Sequence, residues 1–259
     1  EGQIFWKNME GSINSLVSAG KVLEANGTYT IAVKIKPYFT YLFSDGTTGL
    51  LHKNPGKTPV GVVVDPVNHL AAAIEEVGNG TKYKFAVEKY RSVPTSTVQV
   101  SNSDLTIDAN KYLAQFATSG YDETWNASYT SSNVTGDKVK GNNPDFPAFY
   151  AAGRFRPSVA LSGSLASKKW FLPSQQDYFH AYDLLGFAQD IMLIGSLTQR
   201  YRWYGYLFEK AFTDAGGKSF MTTELDGYYW TSTAHSGGSR FWPIARELYF
   251  PSEFSPFEF

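Results

Sequence analysis

The beginning of the chain alternates apolar and polar positions with the period of a β-strand. Across residues 29–36, Tyr, Ile, Val and Ile alternate with Thr, Ala and Lys, as in a strand with one buried face. Asn26-Gly27 before this run is a strong turn signal, and Pro37 after it ends the strand. These positions predict a short β segment over residues 1–37.

A second strand-rich region follows, in which turn residues separate the apolar runs. Residues 38–43 are aromatic and β-prone, and residues 60–64 form a short continuous apolar run, so both predict strands. Residues 70–77 fit a strand or a helix on propensity alone. The Pro, Asn and His within residues 66–69 favour a hairpin.

Helical periodicity is clearest in two later segments. Ser174, followed by Asp177, forms an acidic variant of a capping box, and the apolar positions after it recur at helical spacing. A second amphipathic run covers residues 204–215 and ends at two glycines. Residues 108–118 and 146–155 predict shorter helices.

The rest of the pattern is less regular. Residues 126–143 are polar and rich in Ser, Thr, Asn and Gly, which predicts a long surface excursion rather than a core element. Residues 228–233 predict a strand. From residue 240 onward the alternation is poor.

Composition favours a folded chain without a global electrostatic role. The chain has 259 residues, of which 23 are basic and 24 acidic, for a net charge of −1. This balance gives no electrostatic signal for nucleic acid or for an anionic membrane surface. Charged residues make up 18% and aromatic residues 16%, which suits a sizeable core and a surface with ligand-contacting rings.

The sequence offers little catalytic or metal-binding chemistry. Cysteine is absent, which excludes disulfides, thiolate metal sites and cysteine nucleophiles. The four histidines lack zinc-ligand spacing, and no phosphate-binding glycine loop, serine-hydrolase elbow or calcium loop occurs. We therefore expect no cofactor and no metal. A carboxylate pair of glycosidase type stays open, because its members need not be close in sequence.

The chain has no apolar stretch that would insert into a membrane. The best candidate, residues 184–197, is interrupted by Asp190 and is too short. The first residues do not resemble a signal peptide. We interpret the sequence as a mature chain whose export signal, if it had one, was removed.

Three segments, taken in chain order, resemble one family of bacterial surface domains. The first segment is Tyr41-Leu-Phe-Ser-Asp-Gly-Thr-Thr, followed by Gly56-Lys-Thr-Pro-Val-Gly-Val-Val-Val. The second is Trp170-Phe-Leu-Pro-Ser, which is similar to a W-x-L-P-[ST] signature. The third is Ala215-Gly-Gly with Tyr229-Trp-Thr-Ser-Thr, which is similar to a closing Y-W-[ST]-S-[ST] strand. Together they resemble the Fibrobacter major paralogous and Lcl C-terminal group.

The resemblance implies a fold and a domain division. Members of this group adopt a C-type-lectin-like fold and are abundant in exported proteins of Bacteroides-type gut bacteria. We therefore expect an α+β, C-type-lectin-like domain over residues 38–259, with mixed antiparallel sheets, two main helices and long loops. Residues 1–37 lie outside it and resemble the last strand of a fimbrillin-like β-sandwich. The closing Arg-Pro-Val-like strand of the family is expected to be missing here or less regular.

The resemblance also separates core residues from a binding surface. In lectin-like folds the functional surface is the loop-rich region around the last strands, here residues 234–254. Aromatic rings beside arginines in that region suit stacking on a sugar face or a protein interface, or they pack back on the domain. The residues assigned to the structural core are Trp170, Leu172, Pro173 and Trp230. The candidate ligand-binding residues are His235, Arg240, Trp242, Arg246, Tyr249 and Phe250.

Three functions stay open. The first is a non-catalytic extracellular binding or adhesion module of a bacterial cell-surface protein, which recognises a host or microbial glycan or protein. The second is a structural subunit or spacer of a surface fibre or pilus, with other fibre subunits as partners. The third is a carboxylate-based enzyme, because formylglycine-generating enzymes share the broad fold, although their cysteine chemistry cannot operate here. Calcium-dependent sugar capture is not implied, because the Glu-Pro-Asn and Trp-Asn-Asp signatures are lacking.

Overall fold

The computed structural model describes residues 37–90, 93–98, 100–101, 118–185, 205–218, 228–236 and 243–249. Within these residues the chain is an α+β protein with two β-sheets and four α-helices. The strands are β1 (Thr40–Phe43), β2 (Thr48–Leu50), β3 (Pro59–Asp65), β4 (Leu70–Ala73), β5 (Val100–Ser101), β6 (Tyr228–Ser236) and β7 (Pro243–Tyr249). The helices are α1 (Gly120–Trp125), α2 (Pro147–Gly153), α3 (Gln175–Leu185) and α4 (Gly205–Asp214). The predicted β segment before Pro37 and the predicted helix before Thr118 lie outside the described residues.

The first sheet is antiparallel, with the strand order β2-β1-β3-β4. All residues of β3 except the first are buried, which is why this central strand has a continuous apolar run. The predicted hairpin is confirmed, because β4 pairs with β3 and places Ala72 opposite Val62. Its turn is held by Asp65, whose Oδ1 accepts hydrogen bonds from the backbone N–H groups of Val67 at 2.9 Å and Asn68 at 3.0 Å, as in an Asx-turn.

The second sheet has the strand order β5-β6-β7, with β6 parallel to β5 and antiparallel to β7. The strand predicted for residues 228–233 is confirmed and extends to Ser236. Near the end of the described residues, β7 pairs with β6, with Trp230 opposite Glu247 and His235 opposite Ile244, and the register shifts between these two pairs. Whether the family's closing strand is missing stays a prediction, because residues 250–259 lie outside the described residues. Backbone groups make this pairing, so it does not depend on the side-chain alternation that the tail lacks.

The two longest described helices are the two that the sequence predicts most clearly. At the start of α3, the Asp177 N–H donates to Ser174 Oγ at 3.1 Å, and the Ser174 N–H donates to Asp177 Oδ2 at 2.7 Å. This reciprocal pair is a capping box. At the end of α4, Gly216 has a φ of 85°, and the Gly217 N–H donates to the Phe212 carbonyl at 2.9 Å, as in a Schellman motif. The short helix predicted near residue 150 is α2.

The polar segment of residues 126–143 is only in part the surface excursion that its composition predicts, because its exposed residues alternate with buried ones. Val134 is 1% exposed and belongs to the hydrophobic core, and Lys140 is equally buried. Polar groups in this segment find partners within the protein; for example, Asn143 Nδ2 donates to the Asp137 carbonyl at 2.7 Å. The prediction fails at these buried positions because composition reports the polarity of a segment and not whether its polar groups are satisfied internally.

One hydrophobic core cluster of the described region joins the α2 segment to β6. Its buried members are Phe85, Tyr90, Val134, Phe146, Ala148, Phe149, Ala152 and Leu172. Trp230 of β6 packs against this cluster, with its ring centroid 5.9 Å from that of Phe85. The indole of Trp230 is satisfied as well, because its Nε1 donates to the Tyr83 carbonyl at 2.6 Å, as buried tryptophans require.

The two tryptophan-bearing motifs meet in space although about sixty residues separate them. The Ser232 N–H donates to the Pro173 carbonyl at 2.8 Å. The Gln175 N–H donates to Thr233 Oγ1 at 2.9 Å. These bonds tie the start of α3 to the middle of β6.

The residues assigned to the core differ in their burial. Leu172 is buried within the core cluster, and Trp230 is partly buried against it. Pro173 is half-buried at the junction of the two motifs. Trp170 is also half-buried and lies at the edge of the fold, where its ring contacts Phe155 edge-to-face at 5.1 Å between centroids.

Candidate ligand-binding surface

The predicted ligand-binding residues fall on the last two strands and around them. His235 lies in β6, and Arg246 and Tyr249 lie in β7. Residues 234–236 and 243–249 are therefore strand rather than loop, which corrects the expected character of this region. Arg240, Trp242 and Phe250 lie outside the described residues. A role of all six in binding stays a prediction.

A second surface with the same chemistry lies on α1, the end of α2 and the segment before α3. We call it the aromatic–cationic surface. Its members are Tyr121, Trp125, Tyr150, Arg154, Lys169, Trp170 and Phe171. They come from three separate stretches of the chain, so only the fold brings them together.

Trp125 is the centre of this surface. Its Nε1 donates to the Trp170 carbonyl at 2.9 Å. Its ring lies so close to Gly141 and Gly153 that a Cβ at either position would stand 3.0 Å or 2.9 Å from a ring atom. The absence of side chains at these two positions is therefore what lets the ring lie flat against the backbone. The Lys169 Nζ lies 4.5 Å from the ring centroid, within the range of a cation–π contact.

Arg154 follows α2 directly and is held by two contacts. Its guanidinium lies 3.4 Å from the centroid of the Tyr150 ring, and its Nη1 donates to the Gly141 carbonyl at 2.6 Å. A guanidinium carries five N–H donors in a fixed plane. Stacking and one hydrogen bond fix this plane, and donors remain on its other edge.

Exposed ring area is provided by Tyr121 and its neighbour. Tyr121 is 45% exposed, and every other aromatic side chain assessed in the described ranges is less exposed. Its ring meets that of Phe171 edge-to-face, with 5.8 Å between centroids. Two rings in this arrangement present apolar faces next to a polar hydroxyl, which suits both sugar and protein ligands.

Below this surface lies a buried ion pair. Lys140 Nζ lies 2.7 Å from Glu123 Oε2, and each side chain is 1% exposed. Ser96 Oγ lies 2.7 Å and 3.0 Å from the two carboxylate oxygens and donates to them. Burial lowers the pKa of Lys140, and the charge of Glu123 opposes that shift. Glu123 lies on α1 between the two outward-facing rings, so the pair fixes α1 against the segment that carries Lys140.

A second buried carboxylate anchors the other end of α1. Asp177 Oδ2 accepts a hydrogen bond from the Gly120 N–H at 3.0 Å, in addition to its bond within the capping box. Burial raises the pKa of Asp177, and these N–H groups oppose the shift. The first turn of α1 is thereby hydrogen-bonded to the first turn of α3. This contact holds α1, which carries Tyr121 and Trp125, in a fixed position relative to α3.

Asp65 forms another polar contact at the start of the hairpin turn. Its Oδ2 lies 3.5 Å from His180 Nδ1. Burial alone would raise the pKa of Asp65, but hydrogen bonds from Asn68 and Val67 and the charge of His180 hold it below its ordinary value. In the part of the chain that the structure describes, no group of three or more His, Asp or Glu side chains could hold a metal ion.

The sequence reasoning missed the aromatic–cationic surface. It assigned Trp170 to the core and did not single out Tyr121, Trp125 or Arg154. One local signal was present, because Lys168-Lys169-Trp170-Phe171 places cations next to rings. The other members are separated from it by dozens of residues, and no local pattern links them.

Comparisons with known proteins add no relatives. No family model, no curated protein and no solved structure matches this chain. None of the helices in the described ranges is long and apolar enough to cross a membrane.

Proposed function

We propose that this chain is a non-catalytic, extracellular ligand-binding or adhesion module of a bacterial cell-surface protein, with a C-type-lectin-like fold. The fold assignment is supported by the three motifs in order and by the hydrogen bonds between the two tryptophan-bearing motifs. An α+β chain with a mixed second sheet and two principal helices is consistent with it.

The observation that carries the binding function is the aromatic–cationic surface. It combines an exposed ring, Tyr121, with a guanidinium that is already held in place, Arg154. Rings and arginines are the side chains that contribute most to recognition surfaces, because they bury large areas and lose little conformational freedom. Holding them on buried ion pairs and capped helices reduces the cost of ordering them on binding.

The test is an array of host glycans and extracellular-matrix proteins, probed with the wild type and three variants. Tyr121→Ala removes the exposed ring of the aromatic–cationic surface, and Trp242→Ala removes a ring near the last strands. Val67→Ala is the matched control, because Val67 is an exposed apolar side chain on the β3–β4 turn. We expect the wild type and Val67→Ala to bind the same ligands and Tyr121→Ala to lose them.

The other outcomes are equally informative. Loss of binding in Trp242→Ala alone would move the site to the last strands, as the sequence predicts. A wild type that binds nothing on the array would refute the binding function in favour of a structural subunit of a surface fibre.

A further inference from the structure

Among the described residues, the cations around the aromatic–cationic surface have no carboxylate partner. Most other lysines with described polar contacts sit beside an acid; for example, Lys57 lies 2.8 Å from Asp45 and Lys210 lies 2.8 Å from Asp214. By contrast, four exposed cations have no carboxylate within ion-pair distance among the described residues. They are Arg154, Arg156, Lys168 and Lys169.

This local excess of positive charge is not a consequence of overall composition. The chain as a whole has a net charge of −1. Two of the four cations, Arg154 and Lys169, belong to the aromatic–cationic surface, and the other two are their neighbours along the chain. Local charge without an internal counter-ion attracts a ligand of the opposite sign.

The two arginines are already oriented by the fold. Arg154 is fixed by the Tyr150 ring and the Gly141 carbonyl, and Arg156 Nη1 donates to the Phe155 carbonyl at 2.7 Å. Each keeps further N–H donors, and a planar fork of donors matches a carboxylate. Because the guanidinium groups are held before binding, less conformational entropy is lost when a carboxylate arrives.

Neither the cations nor the rings alone define the ligand. An inorganic anion would use the cations but not the exposed Tyr121 ring or its half-buried neighbour Phe171, and a neutral sugar would use the rings but leave the cations without a partner. A ligand that uses both has an apolar face for the rings and a carboxylate for the arginines. An oligosaccharide with a carboxyl group has both features.

We propose that the aromatic–cationic surface binds a carboxylated glycan, with Arg154 on its carboxylate and Tyr121 on a sugar face. This inference rests on the proposed function and specifies its ligand class. Sialic acid and uronic acid ends share this chemistry, and separate probes distinguish them.

The experiment measures binding of matched oligosaccharides to the purified chain by calorimetry. Two series are compared, one sialylated and one glucuronylated, and each contains the carboxylated oligosaccharide, the same molecule with its carboxyl reduced to an alcohol, and the unsubstituted neutral core. We expect the carboxylated form to bind about tenfold tighter or more than the reduced form, because charge-assisted hydrogen bonds contribute about 1.5–3 kcal/mol. Added salt should weaken the carboxylated form most.

The variants separate the two halves of the ligand. Arg154→Gln should weaken the carboxylated form about tenfold and leave the reduced form unchanged, whereas Tyr121→Ala should weaken both. Lys210→Gln is the control, because it removes an exposed lysine from α4, outside this surface. Thermal denaturation of each variant checks that it is folded. The comparison of carboxylated with reduced ligand needs no variant, so it decides whether the carboxylate is recognised even if Arg154→Gln does not fold, and Tyr121→Ala then tests whether this surface binds it.

The outcomes separate this inference from the proposed function. Equal binding of carboxylated, reduced and neutral forms would overturn the carboxylate assignment and leave the binding function intact. A preference for acidic peptides over every glycan would also overturn it. A preference for the carboxylated sugar that Arg154→Gln does not reduce would place the ligand elsewhere on the chain. Failure of the wild type to bind any probe would overturn both proposals.

Discussion

The buried Glu123–Lys140 pair gives the sharpest stability prediction for this protein. At 2.7 Å between Nζ and Oε2, two unit charges at an effective dielectric constant of about 20 attract each other by about 6 kcal/mol. Removing both side chains from water costs several kcal/mol per ion, so the net contribution of the intact pair is near zero. Removing only one partner destabilises the folded state, because the other charge then stays buried without an opposite charge.

We therefore expect a strong asymmetry between single and double variants. Lys140→Met or Glu123→Gln should each lower the free energy of unfolding by about 3–5 kcal/mol, the usual cost of breaking a buried pair. Lys140→Met combined with Glu123→Leu should cost less than either single change. The Ser96 hydroxyl keeps a hydrogen-bond acceptor in the double variant, because the Tyr129 carbonyl lies 3.2 Å from Ser96 Oγ.

Urea unfolding followed by tryptophan fluorescence and circular dichroism measures these differences. Lys210→Met is the control, because it removes one member of an exposed pair four residues apart on a helix and should cost about 0.5 kcal/mol or less. Single variants that cost under about 1 kcal/mol, or a double variant that is worse than their sum, would refute the reasoning.

Two further predictions concern local polar contacts. Ser174→Ala removes the buried cap of α3 and should lower the free energy of unfolding by about 1–2 kcal/mol. Ser132→Ala is the control, because Ser132 is exposed and its replacement should have almost no effect. Equal urea midpoints for the two variants would argue against the cap. Asp65 has a lowered pKa in the folded state, so its contribution is present above its unfolded pKa of about 4 and is lost as the pH falls through the folded value. Asp65→Asn should therefore be less stable than wild type at neutral pH, and thermal melts should show the two converging as the pH falls through the lowered folded pKa of Asp65; a constant difference across pH would contradict this.

Signals that involve neighbours along the chain were predicted well. The capping box of Ser174 and Asp177, the Gly216 end of α4 and the β3–β4 hairpin all follow from the conformational preferences of a few adjacent residues. The stripe of α4 is also buried as its spacing indicates, with Leu207, Phe208 and Ala211 all buried. Each feature is decided within about one turn of chain, where backbone sterics and local hydrogen bonds dominate.

Features that involve distant residues were not predicted. Residues 126–143 have a surface composition, but Val134 enters the core and Lys140 pairs with a carboxylate on another element. Strand β7 forms because β6 offers it hydrogen-bonding partners, although its own residues do not alternate. In both cases the structure is stabilised by contacts with another element, and the sequence of the segment itself does not show which element it will contact.

The sequence by itself determined where α3 begins and where α4 ends, which runs can form strands, and that cysteine chemistry is absent. Only the tertiary structure decided that Tyr121, Trp125, Arg154 and Lys169 share one surface. Local conformational preferences act between residues that are close in sequence, so the sequence alone is enough to predict them. The meeting of α1, α2 and the segment before α3 depends instead on the burial of apolar area and ion pairs across the whole fold, and that is a property of the packed chain alone.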